Sequence, residues 1–160
     1  MFKHVLAGCA ALALTLHVPA RANAPAPAAP TAAAVQYDAA LAQSLGADER
    51  GMRQFVLVIL KTGPNKMAVG EARKQMFQGH FANINRLAAD KKLALAGPLD
   101  GKEGRRGIFV LATADIEEAK KWVALDPVIV TGEMVAEYHK FWGSAALMMV
   151  NDVHGKIEKK

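Results

Sequence analysis

The sequence predicts a single α+β domain whose elements follow one another as β-α-β-β-α-β. Two observations carry that order: four short apolar runs closed by turn-forming residues, and two longer stretches whose apolar residues recur at helical spacing. A chain of 160 residues accommodates one such core, because compact domains cluster near ~100–150 residues.

Arg53 to Lys61 reads as the first strand, short, partly β-branched and closed by Thr62-Gly63-Pro64-Asn65. Its middle is apolar at every position, so both faces expect cover. Glu71 to Lys91 follows as a helix, with Phe77, Phe81, Ile84 and Ala88 spaced to form one apolar face. Leu93 to Ala96 is the second strand, ending at Gly97-Pro98, and Gly107 to Thr113 the third; Asp100-Gly101 and Gly104 between them suit a hairpin. A second helix begins near Asp115, which can cap its free amides, with Glu118 three residues on as in a capping box. Ile116, Ala119, Trp122 and Val123 then face inward. Asp126-Pro127 ends that helix, and Met134 to Phe141 is the fourth strand.

This order is that of a ferredoxin-like split unit, an antiparallel sheet with both helices on one face. The other face is left open, yet Phe55, Leu57 and Ile59 are as apolar as Val56, Val58 and Leu60. A second subunit's sheet is the simplest cover, so a homodimer is expected.

The segment before the domain reads as an export signal. Met1 to His4 is a short basic start, Val5 to Val18 is largely apolar, and Ala20-Arg21-Ala22 has the small-x-small pattern of a signal-peptidase site. Ala22-Asn23-Ala24 shares the pattern but precedes Pro25, whose ring nitrogen fits poorly after a scissile bond. The apolar run of 14 residues is short of the about 20 that a membrane span needs. Leu6-Ala7-Gly8-Cys9 matches a lipobox, but the apolar run continues for nine residues beyond Cys9, which argues against lipidation. The expected organisation is a signal peptide over 1–22, an Ala/Pro-rich spacer over 23–36, a short helical lead-in over 37–50, the working domain over 51–150 and a charged, solvated tail over 151–160. In the lead-in, Tyr37, Leu41 and Leu45 at four-residue spacing expect to pack one side of a short helix onto the domain. Export places the mature chain in the periplasm or outside the cell, without stable membrane insertion.

Cleavage after Ala22 removes the one Cys and two bases, Lys3 and Arg21, leaving 18 Lys and Arg against 15 acids, a net +3. The remaining bases are interleaved with acids and form no dense stripe, which excludes nucleic acid as an expected partner. Without a cysteine there is no disulfide, thiol nucleophile or thiolate-bound metal. Phosphate-binding glycine loops, His-Glu-x-x-His and Gly-x-Ser-x-Gly are missing from the sequence as well.

The chemistry then rests on the domain's histidines and the carboxylates near them. His80 lies at the edge of the first helix's inward face, where an imidazole oriented by a carboxylate can act as general acid and base. A core histidine satisfied by backbone is the plainer reading of that position. Asp126 sits in a loop that this topology brings toward the first helix, while Glu137 and His139 alternate on the fourth strand and share a face with Val135 and Phe141. Singly, Asp126 is a turn former and Glu137 a rim charge; together with His80 and His139 they outline a polar pocket.

Taken in order, Gly79-His80-Phe81-Ala82-Asn83-Ile84, Leu93-x-Leu95-Ala96-Gly97-Pro98, Arg106-Gly107-Ile108-Phe109, Glu117-Glu118-Ala119, Asp126-Pro127 and Gly143-Ser144-Ala145-Ala146-Leu147 resemble the YCII-related (YciI-like) proteins. The resemblance spans about Met52 to Leu147. It implies a ferredoxin-like fold paired as a dimeric α+β barrel, a site built on His80 and Asp126, no required cofactor, and acid-base chemistry of the isomerase or lyase type on small cyclic molecules. The chain departs from that pattern in two places. His139-Lys140-Phe141-Trp142-Gly143 replaces the family's His-Pro-Trp-Tyr-Gly, and Phe77 stands where many members carry an arginine one turn before the helix histidine. Arg73 or Arg106 can supply the missing charge.

Three readings follow. In the first, His80 moves a proton, Asp126 fixes its tautomer, and His139, Glu137 and Arg106 contact a small-molecule substrate, with no cofactor. In the second, the same pocket binds a ligand without turning it over, or the histidines only pack. In the third, His80, His139 and Asp126 or Glu137 hold a metal ion, although no local spacing supports a ligand set.

Overall fold

The computed structural model describes residues 36–159. The expected signal peptide, its cleavage site, Cys9 and the Pro-rich part of the spacer lie outside the described residues. Every element below belongs to the unit Tyr37–Lys160.

The chain runs through a short helix α1 (Ala39–Ser44), strand β1 (Met52–Thr62), helix α2 (Glu71–Ala89), strand β2 (Leu93–Pro98), strand β3 (Arg105–Leu111), helix α3 (Ile116–Val123), a single-turn helix α4 (Pro127–Val130), strand β4 (Met134–Ser144) and a C-terminal helix α5 (Val150–Ile157). One turn of 3-10 helix, Lys102–Gly104, sits in the β2–β3 hairpin, and another, Ala145–Met149, leads into α5. The four strands form one antiparallel sheet in the order β2-β3-β1-β4. This is the ferredoxin-like arrangement that the alternation of elements predicts.

β1 is the central long strand, paired with β4 along its whole length from Met52 opposite Ser144 to Thr62 opposite Met134. Because side chains alternate, Val56, Val58 and Leu60 of β1 turn one way, with Phe109 and Leu111 of β3, onto Met76 and Leu87 of α2, Ala119 and Val123 of α3 and Val128 of α4. That layer is the main core. Asp115 caps α3 through its carboxylate, which accepts from the Glu117 amide at 2.8 Å. The expected capping box does not form, because the Glu118 carboxylate instead accepts from the Thr113 hydroxyl at 2.6 Å, and that hydroxyl receives the Asp115 amide at 3.1 Å.

Two expectations change. The inward stripe of α2 is Met76, His80, Asn83 and Leu87, one position round from the more apolar Phe77, Phe81, Ile84 and Ala88. Phe81 is 60% exposed. Second, the apolar side of α1 does not pack: Tyr37 is exposed and Leu41 partly so, and the helix is tied to the sheet by Arg53, which donates to the Leu45 carbonyl at 2.9 Å.

After β4 the chain folds back onto the sheet before the expected tail begins, and Val150–Ile157 is helical. Leu147 and Met148 fold back over the sheet face opposite the helices, covering Phe55, Ala94 and Val110 together with Phe141. The Ala145 amide bonds the Gly51 carbonyl at 2.9 Å, and Asn151 donates to the Leu93 carbonyl at 2.7 Å, satisfying an edge-strand acceptor. Beyond Asn151 the side chains are exposed, as their charge predicts. The rest of that face, around Leu57, Ile59 and Ile108, stays half-buried. Among the described residues no helix is long and apolar enough to cross a membrane.

Leu147→Ala is expected to lower the unfolding free energy by about 1–3 kcal/mol, less than a fully buried Leu truncation costs. A urea melt checks this; an unchanged midpoint would show that the 145–149 turn adds nothing to the core.

Candidate functional site

The site is built where α2 passes closest to α4. Gly79 makes the approach feasible, since a β-carbon there would stand 2.8 Å from Cγ of Pro127. The next residue, His80, then meets Asp126, the cap of α4. Imidazole Nδ1 lies 2.9 Å from each oxygen of the Asp126 carboxylate. Asp126 is fully buried and His80 is 8% exposed. A carboxylate only accepts, so Nδ1 carries a proton, and whenever the ring is neutral Nε2 is the nitrogen with the lone pair.

Two further donors reach Asp126. The Val128 amide donates to Oδ1 at 3.1 Å, the ordinary capping bond at a helix start, and the Asn83 side-chain amide donates to Oδ2 at 3.1 Å. Asn83 is oriented in turn by Arg86, which donates to its Oδ1 at 2.8 Å. An arginine cannot accept, so that bond fixes which end of the Asn83 amide faces Asp126. His80, Asn83 and Arg86 come from successive turns of α2 and grip one carboxylate directly or through a neighbour. Asp126 thus caps α4 and contacts His80 through the same carboxylate.

The imidazole is held from its faces as well. Phe109 stacks on it with centroids 6.0 Å apart and planes 27° apart, Phe77 meets it edge-on at 6.1 Å, and Phe81 lies tilted at 5.5 Å. His80 lines a cavity of about 390 Å³ whose walls are Leu60, Phe77, Phe81, Ile84 and Met134 on one side and the hairpin segments Ala96–Pro98 and Arg106–Phe109 on the other. The volume suits a small molecule, and the walls are apolar with a few polar groups.

Arg106 is at this cavity, as expected of a substrate contact. His139 and Glu137 are not. β4 pairs with β1 so that His139 stands opposite Leu57 and Glu137 opposite Ile59, and these point to the face away from the helices, while Met134, Ala136 and Tyr138 take the helix side. Glu137 is instead bonded to Lys61 at 2.7 Å, and that bond is the main reason its carboxyl is held below the ordinary range. The four-residue polar pocket therefore divides, with His80 and Asp126 under the helices and His139 and Glu137 across the sheet. The metal reading loses its ligand set for the same reason; among the described residues no group of three or more His, Cys, Asp or Glu side chains is placed to hold an ion. The sequence did contain a signal for the strand's orientation: Met134, Ala136 and Tyr138 form its uncharged stripe, and Val135, Glu137 and His139 its mixed one.

One cluster went unforeseen. Glu133, just before β4, is buried and accepts from the Met67 amide and, at 2.8 Å, from Arg73. Burial by itself would raise this carboxyl, but the Met67 and Arg73 hydrogen bonds and the charges of Arg73 and Arg106 together bring it below its ordinary value. Arg73 also lies 4.7 Å over the Phe77 ring, behind the cavity wall, and its buried Nε has no acceptor among the described residues.

Gly79→Ala is expected to destabilise the protein, although alanine is worth about 1 kcal/mol more than glycine in a helix interior. The added methyl has to push α4 off α2 and lengthen the His80–Asp126 contact. Thermal unfolding is the check; a raised midpoint would show that the close approach is not tight.

No curated protein matches the sequence significantly. Among solved structures, one that resembles the chain is 5-chloro-2-hydroxyhydroquinone dehydrochlorinase from Burkholderia phenoliruptrix AC1100, determined in complex with 2,5-dihydroxybenzoquinone. It is 18% identical, the match covers 54% of this chain and 92% of that one, and the TM-score is 0.39. The model of the YCII-related domain matches residues 54–141, which run from the start of β1 to β4 and include His80, Asp126 and the whole cavity wall, and the chain belongs to the YCII-related family.

Proposed function

We propose that this protein is a cofactor-independent acid-base enzyme, of isomerase or lyase type, acting on a small organic molecule bound beside His80. The observation that carries the reading is the bond between His80 Nδ1 and buried Asp126 in a ring that lines an apolar cavity; in the neutral ring that bond makes Nε2 the base. In the reaction Nε2 takes a proton from a substrate carbon, and the electron pair left behind either moves to a new position or expels a leaving group. The imidazolium formed in that step faces the Asp126 carboxylate, which stabilises its charge and keeps the ring from turning. The pair is buried, so the electrostatic contribution of Asp126 exceeds what it would supply in solvent. Asn83 and Arg86 act as positioning residues through the carboxylate.

A general test needs no knowledge of the natural substrate. 5-Nitrobenzisoxazole opens when a base removes its ring C–H proton: the electron pair forms the nitrile as the N–O bond breaks, and a cyanophenolate is released. The protein is expected to speed this opening above the buffer rate, and His80→Ala to lose about 10²-fold or more of the increment, the usual worth of a positioned base. Asp126→Asn should lose part of it. A rate equal to buffer, or one untouched by His80→Ala, would leave the pocket as a binding module.

We also propose that the protein is exported by its N-terminal signal and works as a homodimer. The half-buried patch of Leu57, Ile59 and Ile108 supports pairing through the sheet, and Lys61, Glu137 and His139 would then sit at the edge of that interface. Light scattering on the mature protein is expected to give twice the chain mass at micromolar concentration, with an N-terminus at Asn23 by mass spectrometry. A monomer, or a retained leader, would overturn the corresponding half.

A further inference from the structure

The cavity beside His80 has an uneven charge. Apart from the imidazole, the side chains around it are apolar except for Arg106. Among the described residues no carboxylate stands within ion-pair distance of Arg106. The Arg106 charge acts on Glu133, but that carboxylate is already taken by the Arg73 guanidinium and the Met67 amide. Asp126 is likewise taken by His80, Asn83 and Val128. Among the described residues Arg73 is paired with Glu133, and Arg106 at the cavity has no ion-pair partner.

A half-buried cation at an apolar wall, with every nearby carboxylate committed elsewhere, is a poor arrangement for stability alone. It suits a ligand that brings the missing charge, because a pair formed away from water is stronger than the same pair in solvent. We infer that the cavity binds a small organic anion whose apolar body lies against Phe77, Phe81 and Phe109 and whose carboxylate or phenolate oxygen is held by Arg106. Arg73 does not touch the ligand. Its place is behind Phe77, where it occupies Glu133 and so keeps Arg106 free.

This deepens the proposed function by naming the class of substrate, but it rests only on the cavity being the ligand site and not on His80 acting as a base. The anion enters with its charge at the Arg106 end, and the proton that His80 would remove belongs to the apolar body.

The test is a binding measurement with two isosteric probes, benzoate and the neutral benzamide, on the whole mature protein by amide-resolved NMR. Benzoate is expected to shift the amides of Gly97, Gly107 and Ile108 saturably and to bind about tenfold or more tightly than benzamide, a difference of about 1.4 kcal/mol. Arg106→Gln should remove the preference, bringing benzoate to about the affinity of benzamide. Arg106→Lys, which keeps the charge, should retain part of it and guards against a fold defect in the first variant. The preference should persist in His80→Ala, so a failed base assay and a failed anion site give different results. Equal binding of the two probes, binding of neither, shifts confined to other surfaces, or a preference that survives Arg106→Gln would each overturn the proposal.

Discussion

The structure depends on one carboxylate. Asp126 is fully buried, and a buried carboxylate is tolerable only if its oxygens are supplied with donors. Three groups supply them: the start of α4 through Val128, and His80 and Asn83 from α2. Each of those donors is itself a constraint. Val128 fixes where α4 begins, Asn83 needs Arg86 to hold its amide the right way round, and His80 needs α2 to come within reach, which the missing side chain of Gly79 allows. The same bond that satisfies the buried carboxylate also holds Nδ1 of the imidazole. Stability and the proposed chemistry therefore rest on one contact.

That dependence explains why the strands were legible in the sequence and the helix face was not. β1, β3 and β4 follow from short apolar runs and their turn residues, and the β2–β3 hairpin from Asp100-Gly101 and Gly104, because these are local effects. The face of α2 is a tertiary effect. Hydrophobicity favours a stripe through Phe77, Phe81 and Ile84, but the helix turns so that polar His80 and Asn83 go in, since Asp126 is waiting for them from a residue 46 positions away. Phe77 and Phe81 move to the flanks and become the walls of the cavity. A stripe of polar residues sharing a face with Met76 and Leu87 carries the site signal that the apolar periodicity conceals.

The division of the four polar candidates has a different origin. Two residues on a strand are either on the same face or on opposite faces, and the choice for β4 was fixed by its pairing with β1. His139 and Glu137 share a face with each other, as their spacing requires, but it is the face away from His80. Nothing local to them shows which face that is. The comparison with the neighbouring stripe of Met134, Ala136 and Tyr138 does. The C-terminal segment was hidden similarly: Leu147 and Met148 are two apolar residues in a short stretch, and only their packing against buried Phe55 and Val110 across the sheet gives them a role.

The most direct measurement on the central claim is the protonation pattern of the His80 ring in solution, read by long-range proton–nitrogen correlation NMR at a pH where the ring is neutral. The account requires the proton on Nδ1, with a downfield resonance from its bond to Asp126, and an unprotonated Nε2 that answers to ligands entering the cavity. A ring protonated on Nε2 would mean that Asp126 does not hold it, and both the packing argument and the proposed chemistry would fail together.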